Sequence, residues 1–432
     1  MTKLFKFISN KFKKLGPGFI TGAADDDPSG IATYSIAGAQ FGYQTTWLCV
    51  FLTPLMIGVQ EMCGRIGMVS GNGIAGVLRK YYSKKLLYCV VFLLFIANTI
   101  NIGANLGIMA ASVQMLVGQS FAFWLIVVTF FTIFMEVFIP YNRYSNFLKW
   151  MGLSLLVYGV TALIVRQDWV SVIRYTFFPS IQLNLTFIMT LVGFLGTTIS
   201  PYLFFWQASE QVEEHISGGK IADFAERPVI DKHEISHMLK DTSAGMIFSN
   251  ITSFFIIITT AATLHRNGIF NIETPQQAAL ALKPLAGPFT YLLFTIGIIG
   301  IGLQSVPILA GGVAYAFAEA FGFKQGLAKK LTEAKAFYFT IAAATLIGLA
   351  INLLRINAIA ALYYAAIVNG IIAVPLIFII IRLANDKRIV GEFKSKPIIK
   401  ASSWAAFILM GLAVVLMMVQ ILIQLLPSIR FS

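Results

Sequence analysis

Stretches of about twenty predominantly apolar residues recur along this chain, each long enough to cross the hydrocarbon core of a bilayer as a helix. About eleven can be read, near 17–42, 46–69, 86–110, 120–139, 146–166, 184–207, 242–264, 288–320, 336–354, 357–382 and 402–426. Composition agrees: 57% of the 432 residues are hydrophobic and 12% charged, whereas a soluble chain is roughly 45–50% apolar and about 25% charged. This excludes an ordinary soluble enzyme, a disordered chain and a secreted disulfide scaffold. Cys49, Cys63 and Cys89 fall in or beside apolar stretches without metal-ligand spacing and are expected to fill the membrane core. The basic start, Met1 to Gly18, is followed by three acids rather than an apolar core and a small-residue cleavage site, so a cleaved signal peptide is not expected. The longest polar stretch, 208–241, leaves no room for a separate soluble domain.

The net charge of +13 would suggest nucleic acid in a soluble protein. Here it has a simpler origin. With the N-terminus inside, the outside segments hold only Arg166, Arg174, Arg266, Lys283, Arg355 and Arg430, and the other 26 of the 32 Lys and Arg lie inside. That asymmetry follows the positive-inside rule, and basic cytoplasmic loops face anionic lipid. The expectation is an N-terminus in the cytoplasm, a C-terminus outside, a lipid bilayer as surroundings and no nucleic-acid partner.

Two spans are interrupted. Span one carries Asp25-Asp26-Asp27-Pro28-Ser29-Gly30 near its middle, and span six carries Gly196-Thr197-Thr198-Ile199-Ser200-Pro201. Proline removes a backbone donor and breaks a helix, and in lipid the freed carbonyls must be satisfied or line a cavity. Single breaks are common in membrane helices. Two breaks five spans apart suggest repeats of opposite orientation, with a ligand bound between the unwound segments, as in secondary transporters. The expected organisation is one transmembrane domain over 1–432: a first five-span repeat at 17–166, an inverted second at 184–382, and an extra helix at 402–426.

Intramembrane acids are functional candidates. Asp27, directly before Pro28, is best placed to meet span six. Asp25 and Asp26 rank lower, since one could face an aqueous vestibule. Glu61 precedes Arg65 by four residues, a spacing that favours a local ion pair. Glu136 and Glu319, near span ends, are expected to reach interfacial water. Asp27, Ser29, Thr197, Thr198, Ser200 and the main chain at both breaks make an all-oxygen site, suited to hard cations such as Mg²⁺, Ca²⁺ and Mn²⁺. No Cys, His or Met stands at either break to select softer metals.

The sequence resembles the NRAMP family of divalent-metal transporters over nearly its whole length. The resemblance rests on Leu15-Gly16-Pro17-Gly18-Phe19, on Asp27-Pro28-Ser29-Gly30, on Arg65-Ile66-Gly67-Met68-Val69-Ser70-Gly71, and on Ser200-Pro201-Tyr202 where the family has Met-Pro-His. It implies an all-α membrane protein of about eleven helices with a LeuT-type 5+5 inverted repeat and broken helices 1 and 6. It also implies a metal site at Asp27, at Gly30 in the family's Asn position, at the Thr197 carbonyl and at Ser200 in place of the family's Met. With one amide and one thioether absent, the site should be wider and harder. Mg²⁺ keeps several of its waters, and Ser and Thr hydroxyls could contact that hydration shell. The pattern is similar to the NRAMP-related magnesium transporters, a divergent branch. The metal is then cargo, and no resident cofactor is expected.

The family's proton path is also altered. Its two span-six His match Tyr202 and Gln207, and its span-three acidic pair best matches Asn105 and Ile108. None of these four titrates near neutral pH, so none can relay a proton there by gaining and losing charge. The expected function is therefore uptake of Mg²⁺, and also Mn²⁺, without proton coupling. The alternative is a proton-coupled Mn²⁺/Fe²⁺ symporter. A different class is raised by His233-Glu234-Ile235-Ser236-His237, which matches the H-E-x-x-H of zinc metalloproteases. It falls in the polar 208–241 loop with no evident third ligand, so an intramembrane protease is a minor alternative and the chain is read as a transporter rather than an enzyme. A signalling sensor would need an output domain, and only Pro427 to Ser432 follow span eleven. A Na⁺-coupled solute symporter rests on fold analogy alone.

Overall fold

The computed structural model describes residues 16–139, 155–354 and 356–425. The regular structure among them is helical. In chain order the main helices are α1 (Pro17–Ala23), α2 (Pro28–Phe41), α3 (Trp47–Ser70), α4 (Ile74–Tyr81), α5 (Lys84–Val117), α6 (Phe121–Phe138), α7 (Leu156–Ile164) and α8 (Trp169–Phe177). They continue with α9 (Leu185–Thr198), α10 (Pro201–Ser217), α11 (Lys232–Thr263), α12 (Thr290–Phe321), α13 (Lys335–Ile351), α14 (Ala358–Asn385) and α15 (Pro397–Leu425). Nine helical segments are long and apolar enough to cross a membrane among the described residues. The expected first span is the broken pair α1 and α2, each half too short to cross alone. Of the expected fifth, only 155–166 lies within the described residues.

Burial is inverted relative to a soluble protein. Phe92, Phe130, Phe134, Ile408, Leu412 and Val419 are exposed, while Asp25, Asp26, Asp27, Glu61, Asn101, Asn105 and Gln207 are buried. Lipid is as apolar as leucine, so no hydrophobic force drives the helices together, and close backbone approach and polar contacts do that work instead. The glycines show where. A Cβ on Gly22 of α1 would lie 2.2 Å from the Gly245 carbonyl carbon of α11, and one on Gly67 of α3 would lie 2.0 Å from the Ala208 carbonyl oxygen of α10. Gly71 then ends α3 in the left-handed region at φ +66°. The first free N–H groups of α1 are satisfied in trans, with Gly16 N and Gly18 N donating to the Asp241 carboxylate at 3.0 and 2.8 Å.

Four expectations change. The polar stretch 208–241 is mostly helix, since α10 runs to Ser217 and α11 starts at Lys232. Charged helix ends that project beyond the apolar layer read as loop in a hydropathy window. Glu319 does not reach interfacial water; its carboxylate is buried and accepts from Gly73 N and Gly76 N at 2.6 and 2.8 Å, holding the start of α4. Glu136 is also buried, with neither oxygen hydrogen-bonded among the described residues. Cys89 is exposed rather than a core filler, while Cys49 and Cys63 are buried.

Candidate functional site

At each break the proline takes the helical donor from one carbonyl, and a hydroxyl meets that carbonyl instead. Pro28 cannot donate to the carbonyl of Ala24, four residues earlier. That oxygen accepts instead from the Tyr202 hydroxyl of α10 at 3.0 Å. Pro201 likewise cannot serve the Thr197 carbonyl. The Ser200 hydroxyl donates there at 2.6 Å, sharing its hydrogen with the Gly196 carbonyl at 2.8 Å. The Ala24 contact also ties span one to span six across the middle of the molecule.

Asp27 is the N-cap of α2, in an extended conformation. Its Oδ1 accepts from the Ser29 hydroxyl at 2.6 Å and from Gly30 N at 2.9 Å. Its Oδ2 accepts from two amides of α5, Asn101 Nδ2 at 3.2 Å and Asn105 Nδ2 at 3.1 Å. Asn105 Nδ2 also donates to the Ser305 hydroxyl of α12 at 3.2 Å. Asp27 is only 1% exposed, and Thr197, Thr198, Ser200, Asn101 and Asn105 are as deeply buried, so the site is sealed from both sides. Among the described residues no Lys, Arg or His pairs with Asp27. A buried carboxylate without a cation is held here by amide, hydroxyl and main-chain donors alone.

Tyr34 of α2 joins the two breaks on the other side. Its hydroxyl lies 3.3 Å from Thr198 Oγ1 and 3.4 Å from Thr197 Oγ1. Its ring also explains Gly30, because a Cβ there would approach Tyr34 Cε2 to 3.2 Å. Thus Asp27, Ser29, Gly30 and Asn105 share one hydrogen-bonded group, and Thr197 and Thr198 share another through Tyr34. Among the described residues no hydrogen bond joins Asp27 to Thr197, Thr198 or Ser200.

The remaining candidates separate. Gln207 lies beside α3, its Nε2 being 3.3 Å from where a Gly64 Cβ would sit, and neither end of its amide is hydrogen-bonded among the described residues. Ile108 is buried in α5 one turn beyond Asn105. Asp25 and Asp26 do not face water. Both are fully buried and share the Ser249 hydroxyl of α11, at 2.8 and 3.1 Å. Ser253 adds a contact to Asp26 at 3.3 Å. Glu61 forms the expected buried ion pair with Arg65, and its other oxygen accepts from Ser395 at 2.9 Å. Sequence reading missed Asn101, Ser305 and Tyr34. The i, i+4 amides on span three were visible as a polar face, but nothing local showed which helix they met.

His233, Glu234 and His237 lie on the first turns of α11 rather than in a loop. Glu234 is occupied structurally, closing a capping box with Asp231 and pairing with Lys220. Among the described residues no group of three or more His, Cys, Asp or Glu is arranged to hold a metal. The candidate cation site is thus one carboxylate surrounded by neutral oxygens and amides.

Comparison with known proteins places this geometry in context. Residues 18–420 match the family model for natural resistance-associated macrophage protein-like chains, Nramp. A divalent metal cation transporter MntH from Aeromonas hydrophila is 24% identical over 91% of this chain and 92% of its own length. One from Caldanaerobacter subterraneus is 26% identical over 70% of this chain and 69% of its own. Among solved structures, the Eremococcus coleocola manganese transporter superposes with a TM-score of 0.71 at 14% identity, over 94% of this chain and 85% of that one. Mhp1, a nucleobase-cation-symport-1 family transporter, superposes with a TM-score of 0.60 at 12% identity, over 96% and 92%. The helical membrane architecture with broken first and sixth spans is thus the LeuT-type fold shared by both neighbours, and the chain belongs to the Nramp family.

Proposed function

We propose that this protein moves divalent metal cations across a bacterial plasma membrane, Mg²⁺ foremost and Mn²⁺ as well, without proton coupling. The observation that carries this reading is the Asp27 carboxylate. It is buried at a helix break, compensated by no basic side chain among the described residues, and surrounded by amide and hydroxyl groups. Such a site has the charge to attract a cation, and its ligands are hard oxygens. The ion would bind partly hydrated between the two breaks, contacting Asp27, the main chain at Gly30 and Thr197, and the hydroxyls of Ser29, Thr198 and Ser200. A single carboxylate keeps binding weak enough for release. The similarity to MntH transporters and to a manganese transporter supports a divalent metal cargo and the inclusion of Mn²⁺.

The rest of the reading follows from the sequence asymmetries. The domain comprises an inverted pair of five-span repeats, 17–166 and 184–382, with an added helix at 402–426, the N-terminus cytoplasmic and the C-terminus outside. Uptake is driven by the membrane potential, worth about 2.3 kcal/mol per charge at 100 mV and about 4.6 kcal/mol for a divalent ion. Asp27→Ala tests the site assignment. In proteoliposomes it is expected to reduce Mg²⁺ and Mn²⁺ uptake to the level of empty vesicles, with the protein still monodisperse in detergent. Near-normal uptake by that variant would remove Asp27 from the site.

A further inference from the structure

We infer that the side-chain amides of Asn101 and Asn105 belong to the cation's ligand set and exchange roles as the ion enters and leaves. The inference rests on Asp27 being the charged ligand. The two residues stand four apart on α5 and so share one face. Both Nδ2 atoms converge on the same oxygen, Asp27 Oδ2, at 3.2 and 3.1 Å. Both Oδ1 atoms are buried and accept no hydrogen bond among the described residues. Buried amide oxygens nearly always have a partner, and two unpartnered ones beside a buried carboxylate are acceptors available to a ligand. Asn105 is anchored from a third helix by Ser305, so the group is built from α2, α5 and α12.

An amide both donates and accepts, and it does not titrate. As donors to Oδ2, the Nδ2 hydrogens compensate the Asp27 charge. A cation seated at Oδ2 repels those hydrogens and attracts oxygen. Half a turn about the Cβ–Cγ bond presents each Oδ1 to the same place, and because the two ends of an amide have nearly the same shape the helices need not move. These amides, supplied by α5, thereby replace the one absent at Gly30. An aspartate at either position could stabilise the empty site only while carrying a proton. The amides remove that requirement, which is why the same exchange proceeds without proton movement.

A thiol tests ligation directly, since Cd²⁺ binds thiolate far better than a hydroxyl or amide. Asn101→Cys and Asn105→Cys are compared with the parent and with Ala104→Cys, which sits at the same depth on an adjacent face of α5. The readout is Cd²⁺ block of Mn²⁺ uptake in proteoliposomes. At least one of the two Asn variants should be blocked at a Cd²⁺ concentration about tenfold or more below the parent's, equivalent to about 1.4 kcal/mol, with Ala104→Cys behaving as the parent. For a variant that folds but does not transport, the Cd²⁺–thiolate ultraviolet band of the purified protein serves as the readout. Parent-like Cd²⁺ response in both variants, or an equal shift in Ala104→Cys, would overturn the inference. Parallel assays of Asp27→Ala separate the two readings: if uptake depends on Asp27 while the thiols stay silent, the amide role alone fails.

Discussion

Ser200 and Tyr202, which the family resemblance matches to a metal-binding Met and a proton-carrying His, are both engaged with orphaned carbonyls of the breaks. Ser200 covers the Thr197 carbonyl and Tyr202 the Ala24 carbonyl. In the proposed site an entering cation would take the Thr197 oxygen from Ser200, whose hydroxyl can concede it by rotating. Ser200→Met would return a soft ligand and shift the competition between Mn²⁺ and Mg²⁺ toward Mn²⁺ by about tenfold, equivalent to about 1.4 kcal/mol; unchanged competition in a variant that still transports would disprove the hard-site argument. Adding Gly30→Asn is a harsher change, because Tyr34 already crowds that position. Tyr202→Phe leaves the Ala24 carbonyl buried without its donor, a loss of about 1–3 kcal/mol, and should lower the thermal unfolding midpoint; an unchanged midpoint would mean that the carbonyl finds another partner. Asp27 was legible from sequence because Pro28 marks the break beside it. Asn101 was not, because its role is set by a contact with a helix 74 residues earlier. The burial of Asp25 and Asp26 depends on Ser249, 224 and 223 residues away.

At the scale of the helices, the spans and both breaks were legible because hydropathy and proline act locally. The fate of the charged ends was not, since a helix that leaves the bilayer and a loop have the same composition. The spacing of Glu61 and Arg65 did give their pairing. The structure adds that Arg65 also donates to the Phe393 carbonyl at 3.0 Å and that Ser395 donates to Glu61, so this pair fastens α3 to the segment before α15. Removing one member of a buried pair strands the other and typically costs about 3–5 kcal/mol, whereas replacing both with apolar residues can be nearly neutral. Arg65→Leu should therefore yield little folded protein by size-exclusion chromatography, and Glu61→Leu with Arg65→Leu should recover much of it. Equal loss in the single and double variants would give the pair a role beyond packing. Gly67→Val presses a side chain against the Ala208 carbonyl, an overpacking of about 1–3 kcal/mol that should separate α3 from α10 and reduce folded yield in the same assay.

Across the whole molecule, a lipid-facing apolar surface encloses a polar interior whose centre is one carboxylate sealed among amides and hydroxyls. In the proposed reading Tyr202, Gln207, Asn105 and Ile108 take the place of proton-carrying groups; in the structure Tyr202 donates to the Ala24 carbonyl and Asn105 to Asp27. Neither contact requires a proton to move, and a divalent charge crossing alone, as proposed, would make transport electrogenic. Asp25, Asp26, Glu136 and Glu319 are further buried acids, so coupling is tested by following proton movement itself. The measurement is Mg²⁺ and Mn²⁺ uptake into proteoliposomes that enclose a pH-sensitive dye, with the membrane potential set by a potassium gradient. Uptake should rise as the lumen is made negative and proceed without any change in internal pH. Metal-dependent acidification of the lumen that persists with the potential clamped at zero would contradict the account.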